Sequence, residues 1–148
     1  MKKSHLVESH LITSVQDLQS WVDELKHEIQ HQTVILLEGP MGVGKTQFTR
    51  CLVESLGSNE VASPSYAILN HYDTDWGDVE HLDLYRLQDE EDLESTGFWD
   101  LFANPLSLII IEWADRLDQS MLPNNWQQWR IKLEFKGETR LVERFELR

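Results

Sequence analysis

The sequence predicts an α/β fold with a mixed central sheet between helical layers. Three observations carry that expectation. Two unbroken apolar runs of strand length, "TVILLE" at 33–38 and "LSLIIIEW" at 106–113, have the pattern of strands buried on both faces. Two stretches, around 15–29 and 45–56, repeat apolar residues at helical spacing. "YAILNHYD" at 66–73 and "VEHLDLYR" at 79–86 read as strands whose connection is too short for a crossover helix, so this pair is expected to be antiparallel.

Taken in order, the first element is a helix. Val15, Leu18, Trp21, Val22, Leu25 and Ile29 share one face. Thr13 or Ser14 can cap it, and aspartates in the early turns suit its positive end. The strand at 33–38 follows, then a glycine-rich turn. A second helix starts near Lys45, with Phe48, Leu52 and Leu56 on one face and Gly57 as its natural stop. Beyond the strand pair, "QDEEDLESTGFWDLF" predicts one or two short helices interrupted at Gly97, and the second buried strand then runs to Trp113. In the tail, Ile131, Leu133 and Phe135 face one way and Arg130, Lys132 and Glu134 the other; "KGET" turns the chain into a last strand. The opening "MKKSHLVESHLITS" carries two lysines but no apolar signal core. With no repeat, low-complexity segment or linker, residues 1–148 read as one domain.

Net charge is −13, from 26 acidic against 13 basic residues. That argues against a large direct grip on nucleic acid, where affinity comes mainly from Lys and Arg at phosphates. The single cysteine, Cys51, forbids an internal disulfide. No apolar run approaches the roughly 18 residues of a membrane helix. A cytoplasmic protein with no membrane contact is expected. The six histidines are scattered, none near another at metal-ligand spacing, so no zinc site is expected on them.

Residues 39–46, Gly-Pro-Met-Gly-Val-Gly-Lys-Thr, fit G-x-x-x-x-G-K-[ST], the phosphate-binding P-loop, between a buried strand and an amphipathic helix as that motif requires. Phosphate oxygens need several donors converging on one point. The backbone of Met41, Gly42, Val43 and Gly44 can supply them only where side chains leave room. The helix that follows adds free N–H groups and its positive end. Lys45, expected to face solvent, would reach the outer phosphates, and the Thr46 hydroxyl would ligate Mg²⁺. With this motif the expected fold is a P-loop NTPase-like three-layer α/β/α sandwich around the mixed sheet.

Such a site also needs a carboxylate for the metal. Glu112 stands where "LIIIEW" leaves the core, a place where an unpartnered acid would be costly to bury. "SPSY" at 63–66 lies where P-loop enzymes place a switch segment. In "HLDLYR", alternation puts His81, Asp83 and Tyr85 on one face, and a polar face of an edge strand explains them as well as a site does. Trp113 alone reads as a core residue, and "QDEEDLE" as a solvated helix start. No N-K-x-D guanine signature occurs, which leaves ATP as the default nucleotide.

"GPMGVGKT", "SPSY", "HLDLYRL" and "LIIIEW", in this order and in a chain of this size, resemble the bacterial TsaE family over about residues 10–120. The resemblance implies ATP and Mg²⁺ as cofactors and a weak intrinsic ATPase. It implies service in the threonylcarbamoyladenosine modification of tRNA, at the adenosine beside the anticodon, with TsaD and TsaB as partner proteins and tRNA reached through them. Lys45 and Thr46 would bind phosphates and metal, and Ser65 would be the switch hydroxyl. Asp83 would sit near the metal and its waters, Glu112 would be the metal-binding acid, and Trp113 its fixed neighbour. The start of the first helix, Thr13 to Leu18, would lie near the adenine. Lys45, Asp83 and Glu112 are then the catalytic candidates, and Thr46, Asp83 and Glu112 the metal candidates. Three positions depart from the family pattern: Pro40 replaces an acid, Gln47 replaces a hydroxyl residue near the α-phosphate, and Ser65 replaces threonine.

Two other uses of such a loop stay open. A small-molecule kinase would need an arginine-bearing lid, where this chain has isolated Arg86 and Arg116. A nucleotide sensor without hydrolysis would have little need of both Thr46 and Glu112.

Overall fold

Strands whose interior positions are all apolar must be covered on both faces. Accordingly β2 (Thr33–Glu38) and β5 (Ser107–Glu112) lie side by side at the centre of a seven-stranded sheet. The computed structural model describes residues 2–58, 68–85, 87 and 89–148. Across the sheet the order is β1 (Ser4–Ile12), β7 (Thr139–Leu147), β6 (Gln127–Lys136), β2, β5, β4 (Asp78–Asp83), β3 (Leu69–Asp73). Strands β6, β2, β5 and β4 are parallel, while the pairs β3–β4, β6–β7 and β1–β7 are antiparallel. The sheet is therefore mixed, and the β3–β4 pair has the direction its short connection demands.

Alternation along the central strands divides the core. Ile35, Leu37 and Ile110 face α1 (Val15–Leu25) and α2 (Lys45–Ser55), where Trp21, Phe48 and Leu52 meet them. Val34, Leu36, Ile109 and Ile111 face the other way, onto Leu84, Leu93, Phe98 and Trp126. That second layer is thin: α3 (Glu90–Ser95) and a 3-10 helix, Phe98–Ala103, separated by Gly97 at φ +76°. Each fully buried side chain of this kind contributes roughly 1.5–3 kcal/mol. The ends of β2, β5 and β4 are thus held on a rigid frame.

The structure departs from the sequence reading in three places. The first is β1, which the sequence pattern does not announce. Leu6, Val7 and Leu11 are exposed and only Ile12 is buried, so no period-two contrast marks it. It becomes a strand by pairing with β7, with a register shift between Leu6 and Glu8. Its anchor is Arg144 on β7, 2% exposed, which donates to Glu8 at 2.6 Å and Glu28 at 3.0 Å and stacks 4.6 Å from the Trp129 ring centre. Burial pushes the Glu8 carboxyl up, but hydrogen bonds from Trp21, Arg144 and His10 outweigh it, and its pKa is lowered overall. Second, α1 ends at Leu25; Ile29 is buried beyond the helix, and Val15 is 60% exposed at its start. Third, Phe135 shares the face of Ile131 and Leu133 but is 47% exposed, because it stands near the end of β6.

Candidate functional site

The glycine-rich loop leaves β2 at Glu38 and enters α2 at Lys45, over the edge where β5 ends in Glu112 and β4 in Asp83. In open α/β sheets the carboxyl ends of parallel strands are where ligands sit. Gly39 has φ +154°, and a Cβ there would lie 2.7 Å from the Leu133 carbonyl oxygen of β6 and 2.8 Å from Val43 Cγ1. Gly42 and Gly44, at φ +80° and +117°, would point a Cβ into open space, so their requirement is one of backbone angle. The Val43 N–H donates to the Pro40 carbonyl at 3.3 Å, closing a turn, and the Val43 side chain is buried in the core. The Phe48 N–H donates to the Gly44 carbonyl at 2.9 Å. The N–H groups of Lys45, Thr46 and Gln47 therefore open the helix without helical acceptors.

A cleft of about 370 Å³ lies over the loop. Met41, Gly42, Gly44, Lys45 and Thr46 line one side; Asp83, Tyr85, Glu112 and Trp113 line the other, with Gln47 and Arg50 from α2. Lys45 does not face solvent as expected: it is 8% exposed. Its ammonium donates to the Gly39 carbonyl at 2.7 Å, lies 4.0 Å from Glu112 Oε1, and sits 4.4 Å from the Trp113 ring centre. A carbonyl, a carboxylate and an aromatic face thus share one cation. Glu112 is 4% exposed, and its Oε2 accepts from His81 Nε2 at 2.6 Å. Asp83 accepts from the Tyr85 N–H at 3.0 Å through one oxygen. Trp113 stands at φ +60°, ψ +42°, left-handed backbone that costs a non-glycine residue on the order of 1–2 kcal/mol. That backbone holds the indole 5.1 Å from the Tyr85 ring and beside Lys45.

A second cleft, of about 330 Å³, adjoins the first and shares Gly42, Gly44 and Gln47 with it. The β1–α1 junction lines it through Thr13, Ser14, Val15 and Leu18, and Ser14 caps α1 by accepting from the Asp17 N–H. Its far wall is Leu133, Glu138 and Arg140 of the β6–β7 hairpin. The Arg140 Nε–H donates to the Val43 carbonyl at 3.2 Å, and the guanidinium stacks 4.4 Å from the Phe135 ring centre.

Of the residues singled out from the sequence, the structure brings Met41, Gly42, Gly44, Lys45, Thr46, Gln47, Asp83, Glu112 and Trp113 to one cleft; Val43 joins the wall of the other. Ser65, the "SPSY" segment and Arg86 lie outside the described residues. Arg116, weighed as a lid residue, donates to the Leu87 carbonyl at 3.0 Å. Sequence reasoning missed Arg50 and Arg140 and did not choose His81. Arg50 is one helical turn past Thr46, a signal that could have found it. For Arg140 there was none, because only the fold brings the last hairpin to the loop. At the other end of β3 and β4, His71 lies 3.0 Å from Asp73, 3.7 Å from Asp78 and 2.6 Å from Glu80. One histidine thus does meet acids there, and its imidazole balances their charge. Burial pushes His71 down, yet its bonds to Asp73 and Glu80 raise it overall.

A mixed sheet with helices on both faces, and a glycine-rich loop running from a central parallel strand into a helix, define a P-loop NTPase-like protein. The crystal structure of YdiB from Bacillus subtilis has this fold: TM-score 0.74 at 20% identity, covering 99% of this chain and 87% of that one. The family model of the threonylcarbamoyl adenosine biosynthesis protein TsaE matches residues 12–143, and the chain belongs to the TsaE family. It is 37% identical over 120 residues to the tRNA threonylcarbamoyladenosine biosynthesis protein TsaE of Haemophilus influenzae, covering 80% of this chain and 73% of the relative. With the protein of the same description from Aquifex aeolicus it shares 30% over 136 residues, 85% of this chain and 96% of the relative. The family match runs past residue 120, where the sequence motifs stop, to take in the hairpin that carries Arg140.

Proposed function

We propose that this chain binds ATP with Mg²⁺ and hydrolyses it weakly, in support of tRNA threonylcarbamoyladenosine biosynthesis together with TsaD and TsaB. The single observation that carries the reading is the convergence of Lys45, Thr46, Asp83 and Glu112 on one cleft above a loop of backbone donors. The phosphates occupy the first cleft. There the free N–H groups at the start of α2 and the ammonium of Lys45 meet them, with Lys45 leaving the Gly39 carbonyl to do so. The adenine occupies the second cleft, between the β1–α1 junction and the Arg140 hairpin, since the two clefts share the loop.

The residues fit a divalent cation. Thr46 offers an exposed hydroxyl at the mouth of the cleft, and Glu112 a buried carboxylate with one oxygen held by His81 and the other 4.0 Å from the Lys45 ammonium. Thr46 and Glu112, with Asp83 beside them, would hold Mg²⁺. When bound, the ion would neutralise charge on the outer phosphates. The chain's own part is to position: the loop fixes the phosphate chain, and Trp113 and Tyr85 wall one side of the cleft.

The acidic surface suits a protein that leaves tRNA to its partners and couples its nucleotide state to theirs. The test is calorimetry with ATP on the parent chain and on Lys45→Ala, then phosphate release with and without TsaB and TsaD. Binding that is lost in a folded Lys45→Ala protein, and hydrolysis that rises with partners, are expected. Unchanged ATP affinity in that variant would overturn the reading.

A further inference from the structure

We propose that His81 is a positioning residue for the metal-bound nucleotide: it holds one oxygen of Glu112 so that the other stays off Lys45 and open to the cleft. The inference rests on the nucleotide reading above and adds a residue to it.

The placement follows from strand register. β4 and β5 run parallel, with His81 beside Ile110 and Asp83 beside Glu112. Alternation puts all four side chains on the α2 side of the sheet, with Val79 and Ile110 in the core beneath α1 and α2. His81 is 9% exposed and Glu112 is 4% exposed, so little water reaches the pair. A carboxylate only accepts, so the ring nitrogen 2.6 Å from Glu112 Oε2 is the one that carries the hydrogen. The two oxygens of Glu112 are thereby made unequal. Oε2 is fixed sideways to the neighbouring strand. Oε1 lies 4.0 Å from Lys45 Nζ, too far for a hydrogen bond but near enough to be drawn in.

The geometry sets up a competition. Lys45 has the Gly39 carbonyl at 2.7 Å as its hydrogen-bond partner and Glu112 as the next acceptor along. Without a donor on Oε2, the Glu112 carboxylate is buried and short of one partner, and the Lys45 ammonium stands 4.0 Å away. A direct Lys45–Glu112 pair would use up the ammonium meant for phosphate and the carboxylate meant for metal. By holding Oε2, His81 keeps both apart. A histidine that braces a metal-binding carboxylate in this way is an outer-shell partner, whose loss typically costs tenfold or more in metal affinity.

The test measures metal uptake rather than turnover. Mn²⁺ replaces Mg²⁺, and its binding is followed by electron paramagnetic resonance in the presence of saturating ADP. The parent chain is compared with His81→Leu, which fills the buried space without a donor, and with His81→Gln, whose amide nitrogen reaches about as far as Nε2. Melting temperatures confirm that each variant is folded. Mn²⁺ affinity is expected to fall about tenfold in His81→Leu and to stay within threefold of the parent in His81→Gln. ADP affinity in EDTA should change much less than metal affinity in either variant. Should His81→Leu keep Mn²⁺ affinity within twofold, or should His81→Gln lose as much as a folded His81→Leu, the donor is not what matters and the inference fails. Should His81→Leu not fold, the His81→Gln result decides alone: a loss of tenfold overturns the inference, and retention sustains it. If the parent chain itself takes up neither ADP nor Mn²⁺, the nucleotide reading fails instead.

Discussion

Gly39 and Gly42 stand three residues apart in one loop, and replacing each by alanine should damage different properties. At Gly39 an added methyl meets the Leu133 carbonyl oxygen at 2.7 Å and Val43 Cγ1 at 2.8 Å. Ordinary contacts need more than about 3.4 Å, so β6 and the loop must separate by roughly 0.7 Å. Val43 is a side chain and can shift; the Leu133 oxygen is backbone in a strand paired on both sides. Overpacking of this kind costs typically 1–3 kcal/mol. The left-handed backbone at φ +154° adds about 1–2 kcal/mol. Gly39→Ala should therefore lose about 2–5 kcal/mol. At roughly 2–4 °C per kcal/mol for a chain of this size, that is a fall of the order of 10 °C in melting temperature. Gly42→Ala meets nothing within 4 Å and carries only the backbone cost, about 1–2 kcal/mol. Its methyl points into open space at a residue lining both clefts, so nucleotide affinity should fall at least tenfold while the fold persists. Differential scanning calorimetry and ATP titration on the two variants measure the split. A Gly39→Ala protein melting within 2 °C of the parent would refute the steric reasoning.

Three further outcomes are expected. Glu112→Gln should keep nucleotide but lose Mg²⁺-dependent phosphate release, since the amide preserves shape and removes the charge; release at the parent rate with partners present would shift the metal role to Asp83. Trp113→Phe should remove most of the tryptophan fluorescence change caused by ATP with Mg²⁺, despite five other tryptophans, because this indole is the one beside Lys45; an intact response would make Trp113 a bystander. His71, raised above its ordinary 6.5, contributes stability that is full below that pH and lost as pH rises through its higher folded value. Chemical denaturation at pH 6 and pH 8 should show that loss, about 0.5 kcal/mol or less for so exposed a group, and His71→Gln should abolish it.

The central fold was legible because burial leaves a mark. β2 and β5 are unbroken apolar runs between their end residues, 34–37 and 108–111, and the loop between β2 and α2 needs glycine at fixed places, so residues 33–56 could be read almost element by element. Glu112 was legible for a related reason: an acid at the end of such a run has to be there for something. β1 was not, because an exposed edge strand has no face to hide and is specified by its partner β7. His81 looked like one polar residue on an alternating strand; only the parallel register with β5 shows which acid it touches. The burial of Lys45 was invisible for the same reason, since its three neighbours come from the loop, β5 and the turn beyond it.

The glycine-rich loop is made early in the chain, but its supports are made late. Gly39 packs on Leu133, Val43 is tied to Arg140, and the second cleft closes between residues 12–18 and residues 133–140. β1 lies far before β7 in the chain, and among the described residues β7 is its strand partner, so that pairing waits until β7 has been made. During synthesis, then, a nascent chain ending at Glu112 already holds every residue of the P-loop and yet lacks the scaffold that shapes it. On the nucleotide role proposed above, uptake would follow closure of the β6–β7 hairpin rather than assist the folding that precedes it.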